Sequence, residues 1–254
     1  MQLVYLVAGL SSRFGGSPKG LCKLKNDKTI IECSIEQALS CLAVKEITFI
    51  VSNATYPMFH DAFGYKYKDT PVSYSLQSWE PPRSKPWGTA DALTAFASSF
   101  DDDFAIVCNG DDMYGKESFN AIKHHMNSHD NIVIAFKMHN TLKNATGKVN
   151  RGEILMEEDL LVSIDERLGV DKTDTDFICN VNLFVFNKET LCHISHVSNT
   201  LKDKNLDHPH YEILLPSVLK ECIDSYGDTF RVVMSDGLFQ GVTYQEDLAF
   251  IECV

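Results

Sequence analysis

The sequence predicts an α/β protein of three layers, in which a mainly parallel sheet carries helices on both faces. Short apolar and β-branched runs alternate with segments of helical spacing up to residue 136, the pattern of a parallel sheet with crossover helices. The chain has 254 residues, of which 44% are hydrophobic and 23% are charged, a composition typical of globular domains. Such a chain buries a sizeable core without disulfide or metal staples, and disorder as the main state is excluded.

The individual elements follow in order along the chain. Residues 3–7 predict a buried strand that runs into a glycine loop, and Thr29 with Glu32 forms a capping box that begins a helix. Further elements are predicted as strands at 47–51, 72–76, 104–108 and 132–136, a proline-rich loop at 78–87, and helices at 89–100 and 116–126. The less regular second half predicts a hairpin at 153–164, a strand at 177–186 and a helix at 211–222.

Charge, hydropathy and cysteine spacing exclude several classes of protein. The formal net charge of −12 repels a phosphate backbone, so nucleic acid is not an expected partner. No apolar run is long enough for a membrane helix, and the apolar N-terminus lacks the cationic region of a signal peptide. The eight cysteines form no CxxC pair, so we expect no zinc ribbon and a location in the reducing cytoplasm.

Residues 8–19 are the most informative segment, because they follow the first predicted strand directly. Glycines let the backbone approach a ligand closely, and consecutive amides can hold phosphate oxygens. Ser11 and Ser12 add hydroxyl donors, while Arg13 and Lys19 add two cations in an otherwise acidic chain. The segment is neither a Walker A loop nor a GxGxxG loop. It predicts a polyphosphate site, and a surface turn with incidental charges is the alternative.

The same segment resembles the signature of the nucleotidyltransferases that join an NTP to a sugar phosphate, L-x-A-G-x-G-x-R followed by P-K. Ser11 stands where the second glycine is usual. Further segments between residues 3 and 250 resemble family elements in the family's order, at 86–92, 109–115, 162–167, 180–184 and 241–247. The combination is most similar to a poorly characterised bacterial branch. It implies the Rossmann-like nucleotide-diphospho-sugar transferase fold in a single domain, residues 1–254.

The resemblance also implies a reaction and a set of site residues. The reaction transfers an NMP from an NTP to a sugar 1-phosphate, and it releases pyrophosphate. The implied catalytic residues are Arg13 and Lys19, and the implied nucleotide-binding residues are Ala8, Gly9, Ser11, Ser12, Gln77, Gly88 and Thr89. The residues expected to bind the sugar and its phosphate are Lys148, Arg151, Glu166, Arg167, Asn180 and Asn182.

An acidic turn indicates a metal site. Asp111 and Asp112 follow a predicted buried strand, and a hard divalent cation such as Mg²⁺ takes one or two carboxylates together with phosphate oxygens. A solvated turn is the alternative, because aspartate favours turns. The resemblance favours Asp111 as the ligand and places the second ligand at Thr243. Threonine departs from the usual Asp or Asn, and Asp247 and Asp236 are the nearby substitutes. We take Asp247 as the second ligand, although it equally suits the first turn of a helix.

Three other functions stay open from the sequence. The acceptor could be a phospho-alcohol such as phosphocholine, as for a cytidylyltransferase. A glycosyltransferase that consumes a nucleotide sugar is disfavoured by Arg13 and Lys19, because pyrophosphate-releasing enzymes have the greater need of such cations. A non-catalytic nucleotide sensor is the third alternative, and Thr243 at the second metal position keeps it open. The sequence does not predict an oligomeric state.

Overall fold

The chain folds around a ten-stranded mixed sheet. The computed structural model describes residues 1–9, 17–81, 83–126, 131–143, 145, 147–171, 173, 175–242 and 245–253. Within those ranges the helices are α1 (Ile30–Cys41), α2 (Tyr56–Phe63), α3 (Thr89–Ala97), α4 (Lys116–His125), α5 (Lys188–Lys204) and α6 (Leu215–Tyr226). None of these helices has the length and apolar character needed to cross a bilayer.

The strands of the described ranges, in chain order, are β1 (Gln2–Leu6), β2 (Glu46–Val51), β3 (Lys66–Tyr67), β4 (Thr70–Leu76), β5 (Phe104–Asn109), β6 (Asp112–Met113), β7 (Asn131–Lys137), β8 (Val149–Glu157), β9 (Leu160–Val170), β10 (Ile178–Asn187), β11 (Phe230–Ser235) and β12 (Gln240–Gly241). Short 3-10 helices lie at Lys19–Leu21, Met138–Thr141 and Gln245–Phe250. Strands β6 and β12 pair with each other outside the main sheet.

The main sheet is parallel in one part and antiparallel in another, with the strand order β3-β4-β2-β1-β5-β10-β7-β11-β9-β8. Strands β4, β2, β1 and β5 are parallel, as are β7 and β11. Strand β10 runs antiparallel between β5 and β7, and it also pairs with β8. The predicted α/β class is confirmed, but the sheet is mixed. Strand β10 comes after the antiparallel β8–β9 hairpin and pairs antiparallel with β8, an arrangement that does not need the long crossover by which parallel strands are joined.

Alternate side chains of β1 enter different apolar clusters. Leu3 and Tyr5 pack with residues of α1, α2 and α4, whereas Val4 packs with residues of α3, α5 and α6. This follows from the two-residue period of a strand, which sends successive side chains to opposite faces. Helices therefore pack on both sides of β1, and its carboxyl end emerges between them.

Helix caps explain one predicted element and one that sequence reasoning missed. The predicted capping box is present: the Thr29 hydroxyl accepts from the Glu32 amide at 3.2 Å, and the Glu32 carboxylate accepts from the Thr29 amide at 2.7 Å. The longest helix, α5, lies where the sequence analysis predicts no element. It begins after Asn187, whose side chain accepts from the Thr190 amide at 2.8 Å. The available signal was the helical spacing of its buried residues Leu191, Ile194 and Val197.

A disulfide joins Cys33 of α1 to Cys253 in the C-terminal segment. The two cysteines are 220 residues apart, so their spacing gives no sign of the pairing. They belong to a small apolar cluster that also contains Met113 and Val242, next to the β6–β12 pair. The other six cysteines are free. The disulfide thus attaches the segment after β12 to α1.

Candidate active site

Two cavities open at the carboxyl ends of β1, β4 and β5, the place where parallel α/β sheets bind ligands. One, the β1 cavity, has a volume of about 520 Å³, and its lining includes the predicted nucleotide-binding residues Ala8, Gly9, Gln77, Gly88 and Thr89. The other, the β10 cavity, has a volume of about 360 Å³, and its lining includes the predicted residues Lys19, Asp111, Arg151, Glu166, Asn180 and Asn182. Both cavities share Thr89, Asn109 and Leu214. One bound ligand could therefore reach from one cavity into the other.

The loop between β4 and α3 forms one wall of the β1 cavity, to which it brings the uncharged groups of Gln77 and Gly88 and the charged side chain of Lys85. The Gln77 amide nitrogen donates to the Gly88 carbonyl at 3.0 Å and to the Asp91 carboxylate at 2.8 Å. Gly88 has a φ of 117°, and a Cβ at this position would lie 2.5 Å from the carbonyl oxygen of Ile213. A side chain is thus excluded on both conformational and steric grounds. Backbone and amide groups of this kind suit the recognition of a planar heterocycle by hydrogen bonds.

Arg83 holds this loop in place, a role that sequence reasoning missed. Its side chain is buried and donates to the carbonyl oxygens of Tyr211 at 2.8 Å and His208 at 3.1 Å. Its guanidinium lies 3.6 Å from the ring centroid of Trp87. A loop arginine is ordinarily exposed, so only its tertiary contacts identify it as a link between the 83–88 segment and the segment before α6.

Lys19 and Asp111 meet at the wall of the β10 cavity. The Lys19 ammonium lies 3.1 Å from an Asp111 carboxylate oxygen and donates to the Val242 carbonyl at 2.8 Å. The two backbones also pack closely, since a Cβ on Gly20 would lie 2.1 Å from the carbonyl oxygen of Gly110. The predicted catalytic lysine and the predicted metal ligand, 92 residues apart in sequence, are therefore neighbours.

Asp112 is a second carboxylate in the same cavity, and it is buried. Burial and the neighbouring Asp111 carboxylate raise the pKa of Asp112 to about 7. A hydrogen bond from Asn109 at 2.9 Å and the charges of Arg151 and Lys19 act in the opposite direction. Adjacent carboxylates at a cavity wall disfavour a second negative charge unless a cation is bound beside them.

Arg151 brings a partly buried cation to the β10 cavity. Its guanidinium donates to the Thr141 hydroxyl at 3.1 Å and to the Asn150 carbonyl at 2.9 Å, and it lies 5.2 Å from the ring centroid of Phe239. Burial lowers the pKa of Arg151, whereas the Asp112 carboxylate raises it. Arginine remains protonated at physiological pH, so the cavity holds a permanent positive charge suited to a phosphate.

A bulge in β10 presents two asparagines to the same cavity. The register with β7 shifts between Asn180 and Phe184, and Asn182 has a φ of 58°. The side-chain oxygen of Asn180 accepts from the backbone N–H of Asn182 at 2.8 Å, while its side-chain nitrogen donates to the Ile134 carbonyl at 2.9 Å. Bulges re-aim side chains next to functional sites. Together with Glu166 of β9, these residues give the β10 cavity a polar wall.

Three predicted site residues do not line either cavity as the structure describes them. Lys148 is exposed. Arg167 instead pairs with Glu153 at 2.5 Å, because successive side chains of β9 alternate and its neighbour Glu166 is the one that faces the cavity. Asp247 is only 1% exposed and lies in the C-terminal 3-10 helix. For these residues the predicted roles remain predictions that the geometry does not favour.

The glycine loop lies largely outside the described residues. These exclude four positions named in the sequence analysis, namely Ser11, Ser12, Arg13 and Thr243. The described ends of the loop do reach the site: Gly9 lines the β1 cavity, and Lys19 lines the β10 cavity. The loop therefore begins at one cavity and ends at the other.

This arrangement defines an α/β protein with a ligand site at the carboxyl end of its first strand, where cations and carboxylates meet beside a cavity walled by amides. A family model described as nucleotidyl transferase matches residues 14–221. The chain belongs to the nucleotidyl transferase family, and it is a nucleotidyltransferase. The predicted family and enzyme class are thereby confirmed. No curated protein matches the sequence.

Several solved structures share the fold at low sequence identity. One is the inositol-1-phosphate CTP transferase from T. maritima, with a TM-score of 0.69, 15% identity, and coverage of 97% of this chain and 90% of that one. A UDP-glucose pyrophosphorylase complexed with UDP-glucose has a TM-score of 0.68, 14% identity, and coverage of 98% and 96%. A putative glucose-1-phosphate thymidylyltransferase from Bacillus anthracis has a TM-score of 0.74, 12% identity, and coverage of 98% and 92%.

Proposed function

We propose that this nucleotidyltransferase transfers an NMP from an NTP to a sugar 1-phosphate, giving an NDP-sugar and pyrophosphate. The observation that carries the proposal is the contact of Lys19 with Asp111 at the β10 cavity, which shares a wall with the β1 cavity. In the reaction an oxygen of the acceptor phosphate attacks the α-phosphorus of the NTP, and the bond to the β-phosphate oxygen breaks. The protein contributes positioning and charge neutralisation and forms no covalent intermediate.

Each cavity would hold one substrate. Gln77, Gly88 and Thr89 bind the base in the β1 cavity, and the loop from Gly9 through Ser11 and Ser12 holds the triphosphate. Lys19 and Arg13 neutralise the charge that develops on the leaving pyrophosphate. In the β10 cavity, Arg151 binds the acceptor phosphate, and the polar wall of Glu166, Asn180 and Asn182 binds hydroxyl groups. Lys148 and Arg167, which line neither cavity, are given no role in this proposal.

A divalent metal fits the β10 cavity by the chemistry of its donors. Nucleotidyltransferases of this family generally use a divalent metal ion. Asp111 and Asp112 offer hard carboxylate oxygens at the cavity wall, and Mg²⁺ needs only one or two of these when substrate phosphates supply the rest. The described residues contain no group of three or more metal-binding side chains, so an all-protein cage is not the expected form. When bound, Mg²⁺ supplies positive charge to the phosphate oxygens, and Asp111 would hold it.

The lining of the β10 cavity favours a polyhydroxy acceptor over phosphocholine, the alternative acceptor. Its polar side chains include Asn150, Asn180, Asn182, Glu166 and Ser217, and its described aromatic lining is Phe239 alone. A quaternary ammonium group is ordinarily recognised by several aromatic faces, whereas hydroxyl groups pair with amides and carboxylates. We therefore place sugar or cyclitol phosphates ahead of choline phosphate.

The proposed protein is a single domain, residues 1–254, with the three-layer Rossmann-like architecture of the nucleotide-diphospho-sugar transferases. Helix residues in two apolar clusters on the two sides of β1 support the three layers. We also place the enzyme in the cytoplasm.

Pyrophosphate release tests the function directly. The purified protein with Mg²⁺ is incubated with each of the four NTPs and dTTP, paired with a set of sugar 1-phosphates, inositol 1-phosphate and phosphocholine. We expect release with one NTP and a sugar or cyclitol phosphate, and a loss of release in Asp111→Asn. Release with CTP and phosphocholine alone would instead support the cytidylyltransferase. Nucleotide binding without release from any pair would support the non-catalytic sensor.

A further inference from the structure

The side chain of Gln77 is held at one edge of the β1 cavity by a chain of polar contacts that extends to the far side of helix α3. Gln77 donates to an Asp91 carboxylate oxygen at 2.8 Å, and the other Asp91 oxygen accepts from the Lys202 ammonium at 3.0 Å. Asp91 lies on α3 and Lys202 on α5, and these two helices pack against each other. Asp91 is only 4% exposed. We call this chain of three side chains the Gln77 anchor.

The partners of Gln77 decide which way its amide points. The carbonyl oxygen of Gly88 and the carboxylate of Asp91 can only accept hydrogen bonds, so the NH₂ group must face both of them. The carbonyl oxygen of the Gln77 side chain then turns to the opposite side. Among the described residues that oxygen has no hydrogen-bond partner. The side-chain atoms of these residues that are fully buried without a partner are the hydroxyl oxygens of Thr94 and Ser198, so the Gln77 oxygen is accessible. It is the atom that Gln77 offers to a ligand in the β1 cavity.

An amide held in this way can bind only one kind of hydrogen-bonding group. With its NH₂ committed, Gln77 acts as an acceptor, and a ligand must present an N–H to it. A freely rotating glutamine would accept a donor or an acceptor equally well, because the amide can flip. A protein group discriminates strongly between heterocycles only where it is fixed as a donor or as an acceptor. A heterocycle of the wrong kind then leaves that group without a hydrogen bond.

Lys202 keeps the carboxylate end of the anchor in place. Its ammonium pairs with Asp91 and lies 5.6 Å from the ring centroid of Trp87, which is buried beside the same loop. A buried carboxylate without a cation would be unfavourable. The ion pair therefore lets Asp91 stay buried behind the cavity with one oxygen directed at Gln77.

We propose that Asp91, supported by Lys202, is a positioning residue that sets the base selectivity of the enzyme by holding Gln77 as a hydrogen-bond acceptor. This inference rests on the proposed function only in assigning the β1 cavity to the nucleotide base. Asp91 touches no substrate and acts through Gln77. Its removal changes which nucleotides bind, and by how much, rather than the rate of the chemical step.

Binding of a nucleotide panel tests the anchor without relying on catalysis. Dissociation constants for ATP, CTP, GTP and UTP with Mg²⁺ are measured by calorimetry for the wild type and for Asp91→Asn. We expect the variant to bind the preferred nucleotide about tenfold more weakly, the size expected for the loss of one oriented hydrogen bond. Affinity for the other nucleotides should change much less, so that the selectivity ratio falls. In turnover assays KM for the preferred NTP should rise while kcat stays within about threefold.

The chain offers a matched control. Asp101 pairs with Lys188 at 3.0 Å, an exposed ion pair that also involves the first turn of α5. Asp101→Asn removes one carboxylate of a similar ion pair and should leave every dissociation constant unchanged. Should Asp91→Asn fail to fold, Lys202→Met decides the question, because it keeps Asp91 and removes only its support. That variant is expected to lower the selectivity ratio in the same direction.

The outcomes separate this inference from the proposed function. An unchanged selectivity ratio in folded Asp91→Asn, or in Lys202→Met where the first does not fold, would show that the anchor is merely structural. A wild type that binds all four nucleotides equally would also overturn the inference. A wild type that binds one nucleotide selectively but releases no pyrophosphate with any acceptor would refute the proposed function and leave the inference standing.

Discussion

The two cavities of the site differ in what their walls are made of. The β10 cavity contains cations and carboxylates in contact, with Lys19 against Asp111 and Arg151 near Asp112. The β1 cavity is walled largely by backbone, amide and apolar groups around Gln77, and the charged residues of its described lining are Lys85 and Glu212. Charges act strongly on a transition state in which charge moves, whereas neutral hydrogen-bonding groups mostly select what binds. We therefore expect changes in the β10 cavity to lower turnover and changes in the β1 cavity to alter nucleotide binding.

The largest effect should come from Lys19→Ala. The variant loses the cation that neutralises the leaving pyrophosphate, which corresponds to about 2–4 kcal/mol of transition-state stabilisation. Initial rates of pyrophosphate release should show kcat lowered by about 30-fold to 1,000-fold. Lys25→Ala, an exposed lysine nearby, is the control and should behave as the wild type. Near-normal kcat in a folded Lys19→Ala protein would contradict the expectation that changes in the β10 cavity lower turnover.

Arg151→Met is the next largest change, and it should act on the acceptor. Hydrogen bonds to a charged group contribute about 1.5–3 kcal/mol, so KM for the sugar phosphate should rise by about 10-fold to 100-fold. KM for the NTP should change little, since Arg151 lines only the β10 cavity among the two described. Lys143→Met, at an exposed lysine of the preceding segment, is the matched control. An equal rise in both KM values would show that the cavities do not bind separate substrates.

Gly88→Ala tests the β1 cavity. A Cβ would meet the Ile213 carbonyl at 2.5 Å, and a φ of 117° is strained for any other residue. Such strain amounts to about 1–3 kcal/mol, which thermal unfolding would show as a lower Tm. The shifted loop should also raise KM for the NTP while leaving KM for the acceptor unchanged. A variant with the opposite pattern of KM values would reverse our assignment of the cavities.

The remaining prediction concerns pH and Asp112, and it is measured on stability instead of on turnover or substrate binding. Its pKa in the folded protein, raised to about 7 from 3.8, means that the folded state binds an extra proton between these values. The contribution of Asp112 to the free energy of unfolding of the wild type therefore falls as pH rises through this window. An asparagine at this position does not titrate and gives no such loss. Relative to the wild type, Asp112→Asn should gain up to about 1.4 kcal/mol for each pH unit across it. Urea unfolding with EDTA at several pH values measures this, and a constant difference would contradict it.

The sequence indicates which residue types belong to the candidate site more readily than how they are arranged. The glycine loop, Lys19 and Asp111 were recognised from residue types and their position after strands, because ligands bind where parallel strands end. The sequence could not show that Arg167 lies outside the β10 cavity, because this depends on the register of β9, which puts Glu166 in the cavity instead. Nor was the burial of Arg83, whose partners lie more than a hundred residues away along the chain.

Local patterns determined what depends on neighbours along the chain. The capping box at Thr29, the strand periods and the glycine loop follow from spacings of a few residues, so the family and the α/β class could be predicted. Tertiary structure alone decided that β10 runs antiparallel, that Cys33 meets Cys253, and that Lys202 reaches Asp91 across 111 residues of sequence. Such contacts depend on how helices and strands pack, and packing sums many weak interactions that no short stretch of sequence contains.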